Sequence, residues 1–150
     1  PDDTVADLYC GAGLLTLPLA RVARTVFGIE ANVRAIVDAR ATAAANGLRN
    51  VAFHAGQVAD ALAACRRGEL PRPRLVAMDP PREGLGSDVV EGLRQLRPAR
   101  LAYVSCEPAT LRTDLLALAA AGFRATAALP LDMFPQTALV ESLVTLEPAR

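Results

Sequence analysis

The sequence lacks an excess of charge, a long apolar run and any segment of low complexity, and these absences exclude several classes of protein. Its 16 basic residues, all arginine, balance 16 acidic residues, so the formal net charge is zero. A protein that binds nucleic acid mainly through its overall electric field is strongly basic, so nucleic-acid binding here requires a local patch or another domain. No apolar run approaches the roughly 20 residues of a membrane span, and the start shows no signal-peptide pattern.

Cysteine is also scarce in this chain. Cys10, Cys65 and Cys106 cannot all pair with one another, and none of them belongs to a CxxC motif. This number and spacing argue against a disulfide scaffold and against an ordinary zinc site, so we expect no bound metal. A reducing, cytoplasmic environment fits these cysteines best.

The residues that are present suffice for one hydrophobic core. Of 150 residues, 52% are hydrophobic and 21% are charged, which is typical of a single compact domain spanning residues 1–150. The chain begins without methionine and passes almost directly into an apolar segment. We therefore expect it to be a piece of a longer protein.

Apolar runs alternate with helical segments along the chain, which predicts an α/β fold with a mostly parallel sheet. Seven runs are predicted to be strands: 4–9, 25–30, 51–54, 75–78, 101–105, 123–129 and 138–146. Helices are predicted near Thr16 and over 33–46, 87–96 and 109–121. The last two strands are joined only by 130–137, too short for a crossover helix, so the last strand should be antiparallel. Ligands bind such sheets beyond the carboxyl ends of the parallel strands.

A glycine loop follows the first predicted strand and is typical of a cofactor site. Gly11 and Gly13 let the backbone turn sharply and approach a ligand closely, while Glu30, at the end of the second strand, can bind ribose hydroxyls. The third glycine of the dinucleotide fingerprint is missing, because position 16 is threonine. This favours S-adenosylmethionine over a dinucleotide, with an ordinary tight turn and a solvated acid as the alternative.

Reactive side chains follow the fourth and fifth predicted strands. Asp79 is held by two following prolines, and Cys106 precedes a helix that Thr110 or a neighbour is expected to cap. A helix N-terminus favours the thiolate, which is the nucleophilic form of a cysteine. A plain loop and a buried, inert cysteine are the alternatives.

Glu141 interrupts the last apolar run. A carboxylate that is buried in a strand has a raised pKa, which suits a general base near neutral pH. The alternative is an edge strand that holds this side chain in water.

Four ordered motifs make the chain resemble the RNA (uracil-5-)-methyltransferases, which use S-adenosylmethionine to form 5-methyluridine in transfer and ribosomal RNA. The motifs are Asp7-Leu-Tyr-Cys-Gly-Ala-Gly13, Asp79-Pro-Pro-Arg-x-Gly84, Tyr103-Val-Ser-Cys-x-Pro-Ala-Thr-Leu111 and Asp132-Met-Phe-Pro-Gln-Thr-x-x-Val-Glu141. The resemblance spans essentially the whole chain. It implies a Rossmann-like methyltransferase fold, and it identifies the chain as the C-terminal, catalytic domain of a longer enzyme.

The resemblance also implies a role for each site residue. Cys106 adds to carbon 6 of the uracil ring, carbon 5 then takes the methyl group, and Glu141 removes the proton from carbon 5. Asp79 orients the base or the cofactor. The residues implied to hold S-adenosylmethionine are Asp7, Tyr9, Gly11, Gly13, Glu30 and Asp79.

The chain departs from the family pattern in three places. Glu107 replaces the usual asparagine beside the nucleophile, and Leu139 stands where histidine is common. The RNA-binding domain that normally precedes the catalytic one is missing, so the partner RNA is expected to bind through that absent N-terminal part. A cofactor-binding module without activity is the first alternative.

Methyltransferases of another specificity are the second alternative. An enzyme that forms 5-methylcytosine normally carries a cysteine in the motif that here begins at Asp79. An amino-methylating enzyme has an aromatic residue at the position of Arg82 and needs no residue equivalent to Cys106.

Overall fold

The computed structural model describes residues 3–133, 135–137 and 140–149, and within them strands and helices alternate as predicted. The strands are β1 (Thr4–Leu8), β2 (Thr25–Glu30), β3 (Val51–Ala55), β4 (Leu75–Met78), β5 (Arg100–Ser105), β6 (Phe123–Leu131) and β7 (Glu141–Pro148). The helices are α1 (Thr16–Ala20), α2 (Val33–Ala45), α3 (Val58–Arg67), α4 (Ser87–Leu96) and α5 (Pro108–Ala120).

All seven strands form one sheet in the order β3-β2-β1-β4-β5-β7-β6. The first five strands in this order are parallel, whereas β7 is antiparallel to both β5 and β6. The predicted α/β fold with an antiparallel last strand is therefore confirmed. Because β7 runs in reverse, its first residue lies at the edge where the parallel strands end.

Two element predictions need correction. The helix α3 was not predicted, although Val58, Leu62 and Cys65 form a buried stripe at helical spacing and Gly68 ends the helix in the left-handed region. The last strand begins at Glu141 rather than at residue 138. Glu141 therefore opens the strand instead of interrupting it.

The core lies mainly on one face of the sheet, under α3, α4 and α5. Strand alternation turns Leu8, Met78 and Tyr103 toward this face, where they pack with Leu93 and Leu118 from the helices. The opposite face carries smaller apolar clusters beneath α1 and α2. The side chain of Asp7 points to that second face and is buried there.

The close approach of β2 to the glycine loop requires a residue without a side chain at position 28. A Cβ atom on Gly28 would lie 2.7 Å from Cys10 Sγ and 2.9 Å from Phe53 Cδ1, both closer than real contacts allow. These neighbours belong to the cluster that packs α2 on the sheet. The small residue thus sets how tightly the loop packs on the second strand.

We expect Gly28→Ala to lower the free energy of unfolding by about 1–3 kcal/mol, because the added methyl overpacks this cluster. Denaturant unfolding of the variant and the wild type measures the difference. In a Cys10→Ala background the penalty should shrink, since the sulfur atom at 2.7 Å is then absent. An equal penalty in both backgrounds would show that the clash with sulfur does not cause the loss.

Candidate active site

The predicted site residues meet at one edge of the sheet. Glu30 ends β2, Asp79 follows β4 and Cys106 follows β5, so all three lie at the carboxyl ends of parallel strands. Glu141 joins them there because β7 is reversed. The glycine loop after β1 completes the same edge.

The carboxylate of Glu30 accepts hydrogen bonds from two backbone N–H groups, one of which belongs to the glycine loop. The Gly11 N–H donates to Glu30 Oε2 at 3.1 Å, and the Asn32 N–H donates to Oε1 at 2.8 Å. Gly11 has a φ of +52°, and a Cβ there would meet nothing within 4 Å, so the loop leaves open space above its backbone. The Glu30 carboxylate is therefore oriented before any ligand arrives and keeps lone pairs for further donors.

Asp7 lies beneath this loop and is 1% exposed. The Thr16 hydroxyl donates to its Oδ2, whereas its Oδ1 is buried with no hydrogen-bond partner among the described residues. Burial is the main cause that raises the pKa of this carboxyl to about 6; the Thr16 hydrogen bonds oppose this rise, and the charge of Asp79 adds to it. A buried hydrogen-bond acceptor without a donor costs free energy, so Asp7 is a candidate to bind a donor group.

Tyr9 connects the glycine loop to the loop after β4. It has a φ of 63°, a left-handed conformation that is rare for a bulky residue and is stored strain when it occurs. Its hydroxyl donates weakly to the Leu85 carbonyl at 3.4 Å. Tyr9 thus reaches toward the Asp79 loop, and burial raises the pKa of its hydroxyl.

The pairing of β5 with β7 brings Cys106 and Glu141 to the same edge of the sheet. In this antiparallel pair the last two residues opposite each other are Ser105 and Ser142. Cys106 directly follows Ser105, and Glu141 directly precedes Ser142. A thiol and a carboxylate therefore both lie next to the end of this ladder.

Glu141 is half-buried, and burial raises its pKa, with the charge of Asp79 as the second cause. The alternative that Glu141 belongs to a solvated edge strand is wrong, because β7 lies between β5 and β6. Asp79 itself is exposed, although partial desolvation of its carboxyl raises its pKa. The Asp79 charge reaches both Asp7 and Glu141, so it electrostatically links the two halves of the site.

The helix α5, which begins just after Cys106, is capped by Glu107 rather than by Thr110. The Glu107 carboxylate accepts from the Ala109 N–H at 3.3 Å, and Pro108 occupies the first turn of α5. Ser105 Oγ accepts from the Glu107 N–H at 3.1 Å and donates to its carbonyl at 3.2 Å. The negative charge beside Cys106 is thus held by the positive end of the helix.

One buried acid of this region, Asp114, was not predicted. Asp114 on α5 accepts hydrogen bonds from the Tyr103 hydroxyl and from the Leu85 N–H. A signal was available, because Asp114 lies between Leu111 and Leu118 on the apolar stripe of α5, where an acid is out of pattern.

Several other residues lie outside the site. The ring of His54 meets that of Phe27 edge-on with ring centroids 6.2 Å apart, and burial lowers the pKa of His54. Leu139 falls outside the described residues. Within the described ranges no cluster of histidine, cysteine or acidic side chains could hold a metal ion, and no helix is long and apolar enough to cross a membrane.

Comparison with known proteins relates the chain to RNA methyltransferases. The family model for tRNA (uracil-5-)-methyltransferases matches residues 1–149. An uncharacterized RNA methyltransferase of Gloeobacter violaceus is 46% identical over 97% of this chain, and one of Geobacter sulfurreducens is 43% identical over 96%. The chain spans only 31% and 29% of these two relatives.

Solved structures show the same fold. The Pyrococcus abyssi tRNA (uracil-54, C5)-methyltransferase, solved in complex with S-adenosyl-L-homocysteine, is 30% identical with a TM-score of 0.83. That match covers 97% of this chain and 34% of the Pyrococcus protein. An rRNA methylase of Streptococcus thermophilus shares the fold at a TM-score of 0.72 and 18% identity.

Asp7 makes a testable contribution to the pH dependence of stability. Its folded-state pKa of about 6 exceeds the value of 3.8 that an aspartate has in the unfolded chain, so the folded state favours the protonated acid. Its stabilising contribution is complete below pH 4 and is lost as pH rises through 6, by up to about 3 kcal/mol. In Asp7→Asn this loss should be absent. Unfolding of both proteins in denaturant from pH 4 to pH 8 measures it, and parallel pH profiles would contradict the assignment.

Proposed function

This chain belongs to the tRNA (uracil-5-)-methyltransferase family, and we propose that it transfers a methyl group from S-adenosylmethionine to carbon 5 of a uridine in transfer or ribosomal RNA. The observation that carries this proposal is the antiparallel pairing of β5 and β7, which ends at Ser105–Ser142 and so brings Cys106 and Glu141 to the sheet edge that also holds the glycine loop. We further propose that residues 1–150 form a single catalytic domain of a longer enzyme. The chain spans less than a third of the curated relatives named above.

The glycine loop and its acids fit S-adenosylmethionine. Glu30, already oriented by two backbone N–H groups, would accept from the ribose hydroxyls, and the open backbone at Gly11 would admit the ligand closely. The unpartnered buried Oδ1 of Asp7 suits a cationic group, which would also lower the raised pKa of this acid. When bound, the cofactor supplies an electrophilic methyl group.

The chemistry explains why a thiol and a carboxylate are paired. Carbon 5 of uracil is a poor nucleophile until the Cys106 thiolate adds to carbon 6, forming an S–C6 bond and shifting an electron pair to carbon 5. After carbon 5 has gained the methyl group, the Glu141 carboxylate removes the proton from carbon 5. That electron pair re-forms the C5=C6 bond, and the S–C6 bond breaks to release the thiolate.

Each group is placed for its step. The raised pKa of half-buried Glu141 strengthens it as a proton acceptor, since a base works best with a pKa near the operating pH. The charge of Asp79 acts on both Asp7 and Glu141, and Asp79 is proposed to orient the base or the cofactor. The target uridine must be unpaired or flipped out to reach the thiol at the sheet edge.

RNA binding is assigned to the rest of the whole protein. This chain has a formal net charge of zero, so it has no general field that attracts phosphates. A cytoplasmic location is proposed because the reaction needs Cys106 as a free thiol, and all three cysteines are free.

The role of Cys106 as nucleophile is directly testable. The whole protein incubated with S-adenosylmethionine and RNA containing 5-fluorouridine should form a covalent protein–RNA adduct, because fluorine at carbon 5 cannot leave as a proton does. Cys106→Ala should form none, since the attacking sulfur is missing. The adduct is measured by its slower migration in a denaturing gel.

Cys65→Ala is the matched control, because Cys65 is buried in α3 and should leave adduct formation unchanged. A protein that binds S-adenosylmethionine but gives no adduct with any transfer or ribosomal RNA would instead be a cofactor-binding module without activity. Methylation of cytidine or of an amino group would assign another specificity.

Replacing Glu141 separates proton removal from methyl transfer. With ordinary uridine RNA, Glu141→Gln should accumulate a methylated covalent adduct, because the amide cannot take the proton that must leave before Cys106 is released. Turnover should fall by about 10²- to 10⁴-fold. Mass spectrometry of the trapped peptide measures this; loss of turnover without any trapped adduct would place Glu141 before methyl transfer.

A further inference from the structure

A buried carboxylate on α5 joins three parts of the site. Asp114 is 7% exposed and lies on the second turn of the helix that begins directly after Cys106 and Glu107. Its Oδ2 accepts from the Tyr103 hydroxyl at 2.6 Å and from the Leu85 N–H at 3.0 Å. One oxygen therefore binds the strand that leads to Cys106 and the loop that begins at Asp79.

The Leu85 peptide is held from both sides. Asp114 accepts its N–H, while the Tyr9 hydroxyl donates to its carbonyl at 3.4 Å. Tyr9 lies in the strained turn that leads into the glycine loop. The chain of contacts thus runs from the glycine loop through the Asp79 loop to the helix of the nucleophile.

The loop that begins at Asp79 packs so closely on α5 that its glycine, Gly84, leaves no room for a side chain. Gly84 has a φ of +88°, and a Cβ there would lie 2.5 Å from Asp114 Oδ2 and 2.7 Å from Thr110 Cγ2. Its N–H donates to the Pro81 carbonyl at 2.9 Å, which closes a turn after Asp79. Two prolines and this turn leave the loop few other conformations, so its contact with α5 determines where Asp79 lies.

Asp114 lies on an apolar stripe of α5, where burying a carboxylate costs free energy. Tyr103 is 1% exposed, and Leu111 and Leu118 flank Asp114 on the buried face of α5. Well-packed apolar residues often stabilise a core as much as a buried polar group does. An acceptor is needed here because both neighbours, a backbone N–H and a phenol O–H, are donors.

We propose that Asp114 is a positioning residue that fixes the Asp79 loop and the Cys106 turn relative to each other for attack on the uracil ring. The inference rests on the proposed function for its chemistry. Near-attack geometry is sensitive to small displacements, and a shift of about 1 Å costs about 100-fold in rate. Asp114 itself touches neither the base nor the cofactor in this assignment.

The test uses Asp114→Asn in the whole protein, because the amide keeps the shape but weakens both hydrogen bonds. The rate of adduct formation with 5-fluorouridine RNA at saturating RNA should fall by about 10- to 100-fold, with KM for RNA unchanged. Tyr103→Phe should give a smaller loss, since Leu85 keeps its bond to Asp114. Hydrogen exchange should report faster exchange of the Leu85 amide in Asp114→Asn.

Leu62→Ala is the matched control, because Leu62 is 2% exposed in the same core cluster and its loss lowers Tm without touching this network. A rate for Asp114→Asn equal to that of the wild type or of Leu62→Ala would overturn the proposal. If the wild type forms no adduct with any RNA, the proposed function fails, and exchange at Leu85 decides the positioning role separately. Unchanged exchange there would overturn it.

Discussion

The antiparallel pairing of β7 between β5 and β6 is the constraint on which the candidate site depends. In a wholly parallel sheet only strand ends meet at the ligand edge. The reversal brings the beginning of β7 to that edge and sets Glu141 one register step beyond the pair Ser105–Ser142. A slip of one residue would turn Glu141 to the other face of the sheet, so the hydrogen-bond ladder is as important to the proposed chemistry as the side chains.

Buried carboxylates then connect this edge to the rest of the fold. Asp7 lies on one face of the sheet and Asp114 on the other, and each accepts a hydroxyl hydrogen bond. They differ in how fully they are satisfied: Asp114 has two donors on one oxygen, whereas Asp7 keeps an unpartnered oxygen. A buried carboxylate whose hydrogen bonds are all made holds its neighbours rigidly in place. A buried carboxylate with an unpartnered oxygen is instead stabilised when a ligand donates to that oxygen.

The sequence predicts most of the sheet but only part of the site. Apolar alternation and terminal glycines locate the strands, and the motifs single out Asp79, Cys106 and Glu141, because these departures from apolar pattern are visible along the chain. The hydrogen bonds of Asp114 are not visible in this way, since Leu85 and Tyr103 are distant in sequence and meet only once β5 and α5 have packed. The helix α3 was not predicted because its alanines and arginines resemble a solvated loop. Only the helical spacing of its buried residues indicates a helix.

Glu107 shows how a departure from a family pattern can preserve its physical role. An asparagine at this position would cap α5 through its side-chain oxygen, and the glutamate carboxylate caps the same helix through the Ala109 N–H. The charge is directed at the backbone N–H groups, where the helix dipole stabilises an anion. The Ser105 hydroxyl bonds of the same turn fix its backbone independently of residue 107's side chain. Position 107 therefore requires a side-chain oxygen that accepts from the first N–H groups of α5. Glu107 provides this oxygen and keeps the turn that carries Cys106.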